Sequence, residues 1–390
     1  MKKSHFAFAA LSLLPIAAHA QSSVTLYGLV DDGLNINTNA GGKHLYNVSS
    51  GVIQASRWGM RGTEDLGGGL KTVFLLENGF DENTGKLGQG GLEFGRQAYV
   101  GLSSDYGSVT LGRQYDSVVD NLGLLASGDQ WGGYISAHPG DLDNFNNDFR
   151  VNNAIKFTSA NYSGLTFDGL YSLGGVAGET GRNQIFSLGA SYIGGPVVLG
   201  AAYLNVRNPN VSFFGNSTSG TVSSTTSNLA SPVIAGFGSA NTYQVVGAGG
   251  AYTFGAATIG ATYSNTKFSN LGASYASPFA GQTDSFNNGE VNFRYQLTSA
   301  LLVGAAYDYT RGSKIGDNSA AQYHQASLGV DYFLSKRTDV YVIGVYQHAL
   351  GDTLSATGTT VVPAVASISN LTPSANQNQL AARIGIRTKF

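Results

Sequence analysis

The chain has 390 residues, no cysteine, and only 12% charged residues in near balance, 22 Lys and Arg against 24 Asp and Glu. That charge offers nucleic acid no electrostatic footprint, and a cysteine-free chain of this length is not a small disulfide-stapled fold. Glycine is abundant at 54 residues, with 21 Tyr and 20 Phe against 8 Pro, a composition that favours sheet with many Gly-marked bends.

Residues 1–20 read as a secretory signal peptide. Lys2 and Lys3 give a basic start, Phe6–Ile16 an apolar core, and Ala18-His19-Ala20 a small-residue cleavage site. The expected mature chain, 21–390, holds no apolar run long enough for a transmembrane helix and no low-complexity linker, so it reads as one domain.

About sixteen short two-faced runs follow. They lie near 22–36, 52–64, 69–80, 92–103, 107–114, 152–160, 164–173, 184–193, 196–206, 242–254, 256–267, 286–297, 300–311, 322–334, 338–349 and 380–390. In one, Val291, Phe293, Tyr295 and Leu297 oppose Glu290, Asn292, Arg294 and Gln296. Side chains of a strand alternate between faces, so each run is apolar on one face and polar or small on the other. Short connections such as 104–106, 194–195 and 298–299 alternate with long polar ones, at 207–241, 268–285, 312–321 and 350–379. That alternation puts the long loops on one rim, and 207–241 reads as an exposed hairpin tip.

One stretch breaks the pattern. Residues 115–150 (YDSVVDNLGLLASGDQWGGYISAHPGDLDNFNNDFR) show no sustained period and are far longer than a hairpin needs. Leu122, Leu125, Trp131 and Tyr134 make the stretch too apolar for a disordered tail, so it is expected to fold inward and pack.

Amphipathic strands build either a sandwich with an oily interior or a barrel with an oily exterior. Three features favour a barrel in lipid. Tyr263, Tyr295, Tyr307, Tyr309 and Tyr332 sit towards the ends of apolar faces, as an interfacial girdle would. The opposite faces carry Gly, Ser, Thr, Asn and isolated charges. The chain ends on a strand, with Ile384, Ile386 and Phe390 opposing Arg383, Arg387 and Lys389, and in lipid its edge must close on the first strand. The fold class is therefore all-β, a transmembrane antiparallel barrel.

The stretches SSVTLYGLVDDGL, SRWGMRGTEDLGGGLKTVFLLENGF (56–80), RQAYVGLSSDYGSVTLGRQYD (96–116), NNAIKFTS (152–159), LSKRTDVY (334–341) and the terminal RIGIRTKF resemble the Gram-negative general porins, in particular their betaproteobacterial branch. The resemblance implies a sixteen-stranded, trimeric outer-membrane channel for small hydrophilic solutes and ions, with its third loop folded into the lumen. Outer-membrane lipid and lipopolysaccharide would surround it, and Phe390 would be the signal to the barrel-assembly machinery. No cofactor is implied. A sugar- or anion-preferring channel of the same architecture is the alternative; for sugar, Trp131 and Tyr134 are the candidate aromatics.

For the constriction, alternation puts Arg57 and Arg61 on the lumen face with Gly59 and Thr63, opposite Trp58 and Met60. By position in the family, Arg57, Arg96 and Arg150 match the basic side and Glu77 an acid. Arg96 alternates with the outward Ala98 and Val100, so a bulge is needed to turn it inward. Among the loop acids, Asp120 and Asp129 are expected to face the arginines, where opposed charge would set selectivity. The oxygen-rich run Asp141, Asp143, Asn144, Asn146 and Asp148 lacks calcium-loop spacing and reads as Asx turns. Enzyme classes find no support: there is no GxSxG at a strand-to-helix turn, no HExxH and no His/Cys cluster.

Overall fold

The computed structural model describes residues 23–214 and 228–390; the signal-peptide reading lies outside them. One antiparallel sheet of eighteen strand segments closes on itself. Two segments add no stave of their own. Lys43–Ser50 and Arg57–Gly67 run along the same side of Ser23–Ala40 as one strand interrupted at 51–56, and Lys86–Leu87 is a flap on the end of Leu70–Asp81. The described residues thus form a closed 16-strand barrel. It closes where Leu29–Asn37 pairs with Ala381–Lys389, and the last two ladder bonds join the backbones of Gly28 and Phe390, at 3.1 and 3.0 Å.

The alternation of the sequence becomes the two faces of this wall. On Gln322–Phe333, Leu328 is 67% exposed and points outward, while Gln325 and Asp331 on the inner face are buried. The same inversion runs through Asp284–Thr298, whose buried face carries Asn288, Glu290 and Asn292. In water, so much bare apolar surface would cost roughly 25 cal/mol for each Å²; against hydrocarbon that cost vanishes.

Three expectations need correction. The strand expected at 52–64 starts at Arg57, because 51–56 leave the ladder and turn inward, where Val52 and Ile53 are buried. The strand expected from 92 starts at Gln97, so Arg96 precedes the ladder and is free of its alternation. The long connections are not simply exposed polar tips. Phe213, Leu229, Val233, Phe237, Leu271 and Leu354 are buried in one cluster with the lumen-facing Tyr243, Phe268, Phe286 and Tyr323 and with Leu122, Leu142 and Phe145 of the inward stretch. The apolar core of this barrel therefore lies inside its outer mouth, between folded loops and the inner wall.

Candidate functional site

The stretch 115–150 is held inside the barrel at both ends and along its length. It starts with a short helix, Ser117–Leu122, capped by Asp116, whose carboxylate accepts from the backbone N–H of Val118 (2.7 Å) and Val119 (3.2 Å) and from Asn144 Nδ2 (2.7 Å). Complete burial pushes the Asp116 carboxyl up to about 6. The helix rests on Ile185–Gly194 and Val197–Arg207, where side chains at Gly189 and Gly200 would collide with Asn121.

Farther along, wall residues take up the loop's backbone groups. Ser127 donates to Glu290 from both N–H (2.8 Å) and Oγ (2.5 Å). Asn292 Nδ2 donates to the Leu125 carbonyl (2.8 Å) and Gln325 Nε2 to that of Ala137 (2.9 Å). On the other side, Tyr134 N–H donates to the Val52 carbonyl (2.8 Å) on the excursion that interrupts the second strand. His138, fully buried, binds Asp143 Oδ2 through Nδ1 (2.8 Å), and its Nε2 lies 3.7 Å from Asp308 and 3.8 Å from Glu290. Burial works against charge on this imidazole, but Asp143 first, then Asp308 and Glu290, hold its pKa up at about 10. The imidazolium thus ties the loop to two wall acids. Nothing in the spacing of the sequence pointed to it.

Between loop and wall lies a cavity of about 620 Å³. The wall contributes Arg57, Glu77, Arg96 and Arg294, and the loop Asp129, Gln130, Tyr134, Asn146 and Asn147. Arg96 Nε donates to Glu77 Oε1 (2.8 Å), Arg57 Nε stands 3.8 Å from Oε2, and Tyr27 OH donates to the same carboxylate (2.8 Å). Glu77 therefore sits among the arginines and partly neutralises them, rather than opposing them from the loop. Asp129 is the acid on the loop side, accepting from Asn146 Nδ2 at 3.1 Å. Desolvation by the loop and wall packed around it raises its pKa although it stays open to the cavity, while Asn146, Arg57 and Arg96 pull the other way. The Arg294 guanidinium makes no hydrogen bond or ion pair among the described residues. Its face was legible as polar in the sequence, and a lone cation there was the available signal.

The other expected constriction residues are placed elsewhere. Arg61 shares the wall face of Arg57 but lies over the Tyr27 ring (5.4 Å), in a separate recess with Tyr99. Asp120 turns to the wall and accepts from Lys156. Arg150 is buried, donating to the Asp148 carbonyl (3.1 Å) with its guanidinium 6.0 Å from the Tyr115 ring. None of the three lines the cavity. Trp131 packs against the wall, only 4% exposed, which leaves Tyr134 as the lone aromatic of the sugar reading at the cavity. Among the described residues, no group of three or more His, Cys, Asp or Glu is arranged to hold a metal ion.

A closed lipid-facing barrel narrowed by an inward loop, with a charged cavity beside it, defines a channel of the outer membrane. The chain belongs to the Gram-negative porins, whose family model matches residues 7–352. It is 30% identical over 387 residues to an outer membrane porin protein of Bordetella pertussis, covering 89% of this chain and 94% of that one. It is 33% identical over 371 residues to outer membrane porin protein 32 of Delftia acidovorans, covering 87% and 88%. Among solved structures, the anion-selective porin from Comamonas acidovorans superposes with a TM-score of 0.70 at 23% identity, over 95% of this chain and 100% of that one. The protein is thus an outer-membrane porin, and its family and fold are those of channels rather than enzymes.

Proposed function

We propose that the channel passes small hydrophilic solutes by general diffusion, with a preference for anions set at the cavity of Arg57, Arg96 and Arg294. The balance of the lining carries this reading: three guanidinium groups outnumber two carboxylates, Glu77 among the arginines and Asp129 on the loop. Fixed charge in a narrow pore sets ion preference. The solved neighbour described as anion-selective points the same way. Arg61, below the cavity, would extend the basic path, while Asp120 and Arg150 would hold the loop rather than face solutes. The test is current through purified protein in a planar bilayer under a salt gradient. Steady ohmic conductance with an anion-directed reversal potential is expected; no conductance would sink the channel reading, and a cation-directed potential the preference.

The working form, in this reading, is a homotrimer of residues 21–390, made after removal of 1–20. The apolar outer face of the early strands supports a protein–protein contact, with Val24, Leu26, Val100, Leu102, Val109 and Leu111 all exposed. Lipopolysaccharide would meet the opposite side. There Arg207, Lys267, Arg311, His324 and His348 occupy outward positions at the loop ends of successive strands, with Asn205, Gln244, Asn265 and Asn287 between them. Phe390, exposed at the strand end, would be read by the assembly machinery.

A further inference from the structure

Trp131 is the largest side chain that the inward loop turns away from the cavity. Its indole lies on Gly304 of Leu301–Gly312 and Gly329 of Gln322–Phe333, which are direct partners in the ladder. A β-carbon at Gly304 would come within 2.2 Å of the indole, and one at Gly329 within 2.5 Å. The ring therefore rests on bare backbone, in a hollow that exists only because both positions lack a side chain. Among the described residues its buried Nε1 has no hydrogen-bond partner, so the indole is held there by shape rather than by a polar contact.

The seat borders the cavity on two sides. Gly304 pairs on its other flank with Arg294, so the unpartnered guanidinium rises beside the ring. Asp129 and Gln130, the residues just before Trp131, both line the cavity. Gln130 is also tied back, donating to the Leu125 carbonyl at 2.9 Å and to Asn292 Oδ1 at 3.3 Å.

We infer that Trp131, seated on the Gly304–Gly329 pair, is the positioning element that sets how far the loop stands from the wall and that keeps Arg294 turned into the pore. It acts through the loop and touches no solute. A side chain on either glycine must lift a rigid ring by about an ångström, since carbon contacts closer than about 3.5 Å are repulsive. Asp129 and Gln130 move with it, and the lift narrows the passage.

The inference rests on the channel reading, and single-channel conductance separates the two. Gly304→Ala and Gly329→Ala are each expected to lower conductance by about a third or more, and Trp131→Ala to raise it. Adding Gly304→Ala to Trp131→Ala should then change nothing, because the ring it displaces is gone. Trp131→Ala should also shift the reversal potential towards cations as Arg294 relaxes into the vacated space. An unchanged conductance in Gly304→Ala, or the same loss with and without Trp131, would overturn the inference while leaving a conducting wild type intact. Heat-modifiable migration in gels checks folding. If the alanine variants do not fold, Trp131→Ala decides alone: conductance and reversal potential both unchanged would overturn the seat.

Discussion

Arg383 on the last strand and Asp31 on the first form an ion pair across the barrel closure, 3.4 Å apart and with both side chains wholly buried. Tyr341 OH donates to the same carboxylate at 2.5 Å and accepts from Arg383 Nε at 2.7 Å, and the guanidinium also donates to Asn35, to Ser49 and to the Ser49 carbonyl. The two ends of the chain are thus joined by side chains as well as by the ladder. Arg383→Met strands Asp31 without its cation, a change that costs about 3–5 kcal/mol for buried pairs. The temperature at which the folded gel band disappears should fall by roughly 10 °C. The double change Arg383→Met with Asp31→Asn should recover part of that loss. Equal melting of all three proteins would argue against a structural role for the pair.

Cavity charge and loop-anchoring charge should separate in electrical measurements. Arg294→Gln and Arg57→Gln are expected to move the reversal potential towards cations by about 5 mV or more in a tenfold gradient, and Asp129→Asn to move it the other way. Arg150→Gln, at a buried residue outside the cavity lining, should leave it unchanged. A larger shift from Arg150 than from Arg294 would put the selective charge on the wrong side of the loop.

The loop should loosen at alkaline pH. The His138 pKa, held at about 10, lies above that of a free imidazole at about 6.5. Its contribution to docking is therefore fully present below the free value and is lost as pH rises through about 10. The buried Asp116 carboxyl, raised to about 6 chiefly by burial, also favours the docked loop at the lower end of the scale. With Trp58→Phe, Trp131 is the only tryptophan left of the two in the chain. Its emission should shift to the red between about pH 8 and about pH 11 while far-ultraviolet dichroism stays constant. His138→Gln should abolish that dependence; an emission indifferent to pH in the parent would remove the imidazolium from the account.

Closure also depends on a close approach at Gly28. A β-carbon there would meet the Phe390 ring at 2.3 Å and the Arg57 carbonyl at 2.7 Å. Gly28→Val is expected to cut the folded fraction after refolding in detergent as deeply as deletion of Phe390 does. Gly344→Ala, on a wall strand with nothing within 4 Å, is the control and should refold normally. Full refolding of Gly28→Val would show that the terminal ring can sit elsewhere at no cost.

The barrel was legible because strand periodicity is local: alternation along Val291–Leu297 or Ala326–Leu334 already separates oily from wettable faces. The inward loop announced itself by apolar residues in a segment with no strand period. Pairings across the lumen were not legible. Ser127 and Glu290 are 163 residues apart, and Gln325 and Ala137 are 188 apart. No spacing rule links them, so the imidazolium anchor and the glycine seat stayed hidden. For the same reason Asp120 and Arg150 read as pore charges: residue type is visible in a loop, but the direction of a side chain depends on Lys156 and Tyr115 beside it. The interruption at 51–56 was missed because the contacts that hold it, from the Gln54 N–H to the Asp31 carboxylate and from the Tyr134 N–H to the Val52 carbonyl, join residues far apart in the chain.

That interruption has a mechanical consequence. Val52 grips one edge of the inward segment, while Glu290, Asn292 and Gln325 grip the other. The segment is thus a tie rod slung between distant staves of a hollow cylinder. Flattening the cylinder would stretch or buckle the rod, so the girth of the wall and the width of the aperture cannot change independently. Lateral squeeze from the surrounding bilayer would be felt directly at the narrowest point.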